Sequence, residues 1–209
     1  MNTFKVVRIA KRGDKLPLEF KQEWIELHGQ LKRSSNRVTV GIARGEKAPF
    51  DGMAAMYYSS AAKAKETLID HPQRQEVACE EFLAGEKIDA AKTIKQKEQI
   101  KIVRTIFRHK DLSVPQFRDY WLKNYAKLEK RLALETPVLR VVASFALPPE
   151  PGGNEPAFDG MEEIYVSSAT DVEAMLASPI PALMRKEEES FVQLDSPLAV
   201  RLMVEESVL

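Results

Sequence analysis

A chain whose second half repeats the order of its first is constrained to build two similar units, and this sequence repeats itself. Lys5-Val6-Val7-Arg8 returns as Lys101-Ile102-Val103-Arg104, Phe20 and Trp24 return as Phe117 and Trp121, and Phe50-Asp51-Gly52-Met53 returns as Phe158-Asp159-Gly160-Met161. The offset widens from 96 to 97 to 108 residues because the second copy carries a longer loop before its Phe-Asp-Gly turn. The expected division is residues 1–98 and 99–209, each long enough for a small domain with its own core.

Each copy opens with a β-branched and apolar run, Phe4 to Ala10 and Ile102 to Phe107, that reads as a strand. An amphipathic helix follows. Phe20, Trp24, Leu27 and Leu31, like Phe117, Trp121 and Leu128, recur at helical spacing, and Ser113 with Gln116 three residues on forms a capping-box pattern. Arg37–Ala43 and Leu139–Phe145 read as second strands, and Met53–Tyr58 and Met161–Val166 as third strands. Ser59-Ser60 and Ser167-Ser168 sit where a second helix starts. Those helices are expected to run to Phe82 and Phe191 with breaks near Pro72 and Pro179, before last strands at Ala90–Ile94 and Leu198–Val204.

The order strand, helix, strand, strand, helix, strand, written twice, describes an α+β chain of two ferredoxin-like βαββαβ repeats. A lone unit of this kind leaves one sheet face bare. Alternation is expected to turn Val7, Ile9, Met56 and Tyr58 toward the helices and Val6, Arg8, Met53, Ala55 and Tyr57 away, so the two antiparallel sheets are expected to pack on each other as a barrel.

Thirty-one basic residues balance thirty-one acidic ones, so no net field draws the chain to nucleic acid or to an anionic membrane. The one cysteine, Cys79, excludes an intramolecular disulfide and any cysteine-based metal cluster, and fits a reducing cytoplasm. No stretch has the length and apolarity of a signal peptide or a membrane span. His71 and His109 lack partners at metal-ligand spacing, so no metal site is expected. No glycine-rich phosphate loop or nucleophile elbow is present.

The ordered set of Arg8, Lys11 and Arg12, then Phe20, Trp24 and His28, then Phe50-Asp51-Gly52, with its echo in Arg104, Arg108, Phe117, Trp121 and Phe158-Asp159-Gly160, resembles the EthD family of dimeric α/β-barrel proteins. The resemblance implies an intramolecular version of the dimeric α/β barrel, with a homodimer as a further assembly. Its histidine is His28 in the first copy, and Tyr125 stands at the matching place in the second. Related barrels include cofactor-independent monooxygenases, isomerases, cyclases and decarboxylases, as well as haem enzymes for which His28 would be the axial ligand; no cofactor is expected here.

The residues support two readings. In one, a small, mostly apolar oxygenated metabolite undergoes cofactor-independent acid/base chemistry or is handled in an accessory role in catabolism, with His28 exchanging a proton, Tyr57 placing the oxygen, and Trp24, Trp121, Tyr125 and Tyr165 binding the substrate. In the other, the chain is a non-catalytic ligand-binding or stress-related barrel and His28 is a hydrogen-bonded core histidine. Arg104 and Glu163 are expected to pair as a buried structural ion pair. Asp51 and Asp159 read as turn residues, and Pro148–Pro156 as a surface loop able to cover a pocket.

Overall fold

A computed structural model describes residues 3–45, 48–69, 71, 74–87 and 99–209. Two units divide the chain. Unit 1 comprises Met1–Glu81, Ala146–Ala157 and Leu202–Leu209; unit 2 comprises Phe82–Phe145 and Phe158–Arg201.

In unit 1, β1 (Thr3–Ala10) pairs antiparallel with both β3 (Gly52–Tyr58) and β4 (Arg74–Glu86), and β2 (Arg37–Ala43) lies between β3 and β8 (Arg201–Val208). Helix α1 (Pro17–Gln30) and the short α2 (Ala61–Glu66) pack on one face of this sheet. Val6, Ala10, Phe20, Trp24, Val38, Val40, Ala54, Met56, Tyr58 and Ala64 form that helix-side core. Full burial of each large apolar side chain there contributes roughly 1.5–3 kcal/mol.

Register settles which face each residue takes, because directly opposed residues on antiparallel strands share a face. Val6 opposes Met56 and Arg8 opposes Ala54, so Val6 and Arg8 look toward the helices and Val7 and Ile9 look away. The alternation expected for β1 is therefore reversed, while that for β3 stands. Val6, Val7 and Ile9 are each fully buried, so a hydrophobic pattern on β1 carries no information about its two faces.

In unit 2, β7 (Gly160–Val166) lies between β5 (Gln99–Ile106) and β6 (Arg140–Ala146). Helix α3 (Val114–Tyr120) runs through a π turn at Trp121–Tyr125 into α4 (Ala126–Glu135), and α5 (Ala169–Ala177) and α6 (Ile180–Glu188) follow β7. Ser113 Oγ accepts from Gln116 N, and Gln116 Oε1 accepts from Ser113 N at 2.9 Å, so the capping box is formed. Ser60 and Ser168 cap α2 and α5.

The Phe-Asp-Gly turns do the same work in each unit. Asp51 Oδ2 accepts from Arg12 N and Asp159 Oδ2 from Arg108 N, both at 2.9 Å, so each carboxylate fastens the exit of the first strand to the entry of the third. The glycines admit aromatic rings. A Cβ on Gly52 would stand 2.9 Å from the Phe20 ring, and one on Gly160 would stand 2.7 Å from Trp121 Cζ3, well inside contact distance.

Two expected elements differ. The helix beginning at Ala61 ends at Glu66, and residues 74–86 form β4 instead of a helix reaching Phe82. Pairing along the length of β1 overrides the helical preference of its alanines and glutamates. The last strand expected at Ala90–Ile94 lies outside the described residues. In unit 2 the last helix ends at Glu188, and β8 begins at Arg201 instead of Leu198.

Candidate functional site

Phe20, Trp24 and His28 stand four residues apart on α1 and present one stripe to the sheet. Phe20 and Trp24 stack with ring centroids 5.5 Å apart, and His28 tilts against Trp24 at 58° with centroids 4.2 Å apart. Trp24 Nε1 donates to Met53 O at 3.2 Å, which fixes the indole against β3.

His28 is fully buried, and both ring nitrogens are engaged. Nδ1 lies 2.7 Å from Trp24 O and Nε2 lies 3.1 Å from Arg8 Nη1. A carbonyl can only accept and a guanidinium can only donate, so the imidazole is neutral with its proton on Nδ1. Burial lowers its pKa to about 4, with the cations Arg8 and Arg74 pressing the same way and the bond to Trp24 O resisting. Axial ligation of haem does not fit this ring, whose Nε2 lone pair already faces Arg8.

Arg8 opposes Glu76 across β1 and β4, and Arg8 Nε stands 2.6 Å from Glu76 Oε1. The angle makes no hydrogen bond between these two atoms, so the contact is ionic. Glu76 Oε2 accepts from Ile69 N at 3.1 Å. Beside this pair the Arg74 Nε is buried with no hydrogen-bond partner among the described residues, and the Arg74 pKa is lowered by burial and by Arg8.

A cavity of about 380 Å³ opens where α1, the end of β1 and Arg74 meet. Phe20, Trp24 and Leu27 give it an apolar wall, and Lys11, Arg12 and Arg74 give it cationic edges. A second cavity of about 420 Å³ also takes in Arg74 and His71, together with Leu147 and the Pro148–Pro156 segment; Lys65 Nζ bonds Glu150 Oε1 of that segment at 2.8 Å. His28 lines neither cavity.

Tyr57 does not share the histidine's side of the sheet. It opposes Lys5 and Arg37, with the Arg37 guanidinium carbon 3.8 Å from its ring centroid and the Lys5 ammonium 5.7 Å away. His28 and Tyr57, expected to act on one molecule, thus face opposite ways. Alternation along β3 is the cause: Tyr57 shares the face of Lys5 and Arg37, away from the helices, and Arg8 shares that of His28.

Unit 2 departs from the expected ion pair in the same manner. Arg104 opposes Glu162, whereas Glu163 lies on the other face, where Lys101 Nζ bonds Glu163 Oε1 at 2.9 Å and stands 5.4 Å from the Tyr165 ring. Arg104 Nε donates to Glu162 Oε2 at 2.8 Å, and its Nη2 donates to Glu188 Oε1 at 2.6 Å and to the Tyr125 hydroxyl at 3.0 Å. Tyr125 donates to Glu188 Oε1 at 2.6 Å. Burial alone would lower the Arg104 pKa, but Glu162, Tyr125 and Glu188 outweigh it and raise it well above its ordinary value. Burial raises Tyr125 well above the usual phenol range, with Glu162 adding to it.

Trp121 Nε1 donates to Glu129 Oε2 at 3.0 Å, and both side chains are fully buried. Burial, followed by the Glu162 charge, raises the Glu129 pKa well above its ordinary value, which favours the protonated carboxyl. Trp121 and Tyr125, expected to touch substrate, are thus committed to the interior of unit 2. Sequence reasoning missed Arg74, Glu76, Glu129, Glu162 and Glu188. The one readable signal was Lys5 and Lys101, aligned lysines inside otherwise apolar strands.

Residues 109–195 match the EthD domain. The matched segment covers α3, α4, β6, β7, α5 and α6. Among solved structures, an anthrone oxidase-like protein is similar with a TM-score of 0.63, 8% identity, and coverage of 99% of this chain and 93% of its own. A candidate monooxygenase from Fusobacterium nucleatum subsp. nucleatum gives 0.63, 10%, 99% and 93%, and a mutant chlorite dismutase from Candidatus Nitrospira defluvii gives 0.53, 11%, 97% and 91%. At these identities the likeness shows the fold, which is mixed α/β with an eight-stranded, antiparallel, barrel-like sheet. No curated protein sequence matches this chain. Among the described residues no helix is long and apolar enough to cross a membrane.

Proposed function

We propose that this EthD-like protein binds a small, mostly apolar oxygenated molecule in the unit 1 cavity of about 380 Å³, with the ligand's rings on Trp24, Phe20 and Leu27 and its oxygen on Arg74. The observation that carries this reading is the Arg74 Nε, buried at the cavity with no hydrogen-bond partner among the described residues. A desolvated donor left without an acceptor costs about 1–3 kcal/mol, and a ligand oxygen there recovers that cost. His28 then acts as a positioning residue: its neutral Nε2 accepts from Arg8, and Arg8 in turn holds Glu76 beside Arg74. The variant in which His28 exchanges a proton and Tyr57 holds the oxygen finds less support, because those two side chains face opposite ways.

The same reading takes residues 1–98 and 99–209 as two EthD-like ferredoxin-like repeats that pack sheet to sheet as an intramolecular dimeric α/β barrel. Support comes from the paired Asp51–Arg12 and Asp159–Arg108 bonds and from the aromatic contacts at Gly52 and Gly160.

Anthrone, the aromatic ketone in one neighbour's name, is a suitable probe. Isothermal titration should show anthrone binding to the full chain, weakened about tenfold in Arg74→Gln, the size expected for loss of a charge-assisted hydrogen bond. Equal binding to the wild type and Arg74→Gln, or no binding at all, refutes the reading. Proton–deuterium exchange at the anthrone methylene in heavy water then separates the enzyme from the binder: exchange accelerated by the wild type marks catalysis, and binding without acceleration marks a carrier.

A further inference from the structure

A different cavity, of about 310 Å³, lies within unit 2 between the end of β5 and the segment from α6 to the start of β8. Ile106, Phe107, Val192 and Leu194 contribute apolar surface, and Arg104, Arg185 and Arg201 all border it. Counting charge decides what it can hold. Arg104 is matched by Glu162 at 2.8 Å, and Arg185 by Glu188, whose Oε2 is 3.5 Å from Arg185 Nη1. Burial favours the protonated Glu129 carboxyl. The Arg201 guanidinium has no ion pair among the described residues; burial and then Arg104 lower its pKa, with Glu188 and Glu162 acting the other way.

We propose that this cavity binds a small organic monoanion, a carboxylate on an apolar body, with the carboxylate on Arg201 and Arg185 and the body on Ile106, Phe107, Val192 and Leu194. One negative charge neutralises the surplus, whereas a dianion would leave an excess of its own. A guanidinium presents a planar fork of donors that matches the two oxygens of a carboxylate. Arg104 does not itself need the ligand. It is saturated by Glu162, Glu188 and Tyr125, which leaves the guanidinium of Arg201 as the group a ligand anion would match.

This site uses no residue of the unit 1 cavity, so the two proposals stand or fall separately. Isothermal titration of the full chain with sodium benzoate tests it, with benzyl alcohol as the uncharged counterpart. Benzoate should bind, benzyl alcohol should bind at least about tenfold more weakly, and Arg201→Gln should weaken benzoate by a similar factor. Arg201→Lys should retain part of the affinity because it keeps the charge and loses the fork. Benzoate binding undiminished in Arg201→Gln, or absent from the wild type, overturns the proposal. Arg201 is exposed, so its variants are expected to fold, and unchanged circular dichroism verifies this before titration.

Discussion

Removing the imidazole of His28 should erase a large part of the chain's sensitivity to acid. The ring's pKa falls from 6.5 in the unfolded chain to about 4 in the fold. Between those values the unfolded state binds more protons than the folded state, so stability from this residue rises with pH and is complete above the unfolded pKa. It is lost as pH falls from about 6.5 toward 4. Each tenfold difference in proton affinity between the two states corresponds to about 1.4 kcal/mol, so at about pH 4.5 the wild type should have lost about 2–3 kcal/mol through His28 alone. His28→Gln cannot titrate, and its amide can still accept from Arg8. Urea unfolding of both proteins from about pH 4.5 to 7.5 isolates the residue, because the acidic groups common to both cancel in the difference. The gap between wild type and variant should shift by about 2–3 kcal/mol in the variant's favour on acidification. A gap that stays constant across that range would refute the buried, neutral imidazole between Trp24 O and Arg8.

Gly160→Ala should destabilise the protein by about 1–3 kcal/mol, read by urea unfolding, because the new methyl group meets Trp121 Cζ3 at 2.7 Å and the indole is fully buried. Glu129→Gln should stabilise the protein at neutral pH, increasingly so as pH rises above about 4.5, since the folded state favours the protonated carboxyl while the unfolded chain releases the proton. Thermal unfolding from about pH 5 to 8 checks it, and a variant less stable than wild type throughout would mean that Glu129 is ionised.

Local chemistry in this chain was readable where one residue type answers one geometric need. The Ser113 capping box reappears with the partner its spacing implied, and the Phe20–Trp24–His28 stripe faces the sheet, whereas Asp51 and Asp159 fasten the distant Arg12 and Arg108 backbones instead of their own turns. Faces were harder. β1 buries residues on both sides, so only its pairing with Ala54 and Met56 reveals that Arg8 looks at His28. Glu162 and Glu163 are adjacent, equally buried and chemically alike, and nothing in the sequence says which one meets Arg104. The π turn at Trp121–Tyr125 likewise leaves no compositional mark. Arg74 escaped notice because its segment reads as helix; as part of β4 it opposes Ala10 and reaches the cavity.

The pairing of β2 with β8 has a consequence for anyone dividing the protein at its apparent midpoint. Thr39–Ala43 takes its outer neighbour from Val204–Val208, more than 160 residues away in sequence. A fragment ending at residue 98 keeps β1, β2, β3 and β4 but surrenders that neighbour, baring a row of amide and carbonyl groups along a largely apolar strand. Such an edge recruits other chains. Evenly split halves would invite self-association in the tube, so the natural cut for a soluble fragment does not coincide with the boundary at which the sequence begins to repeat.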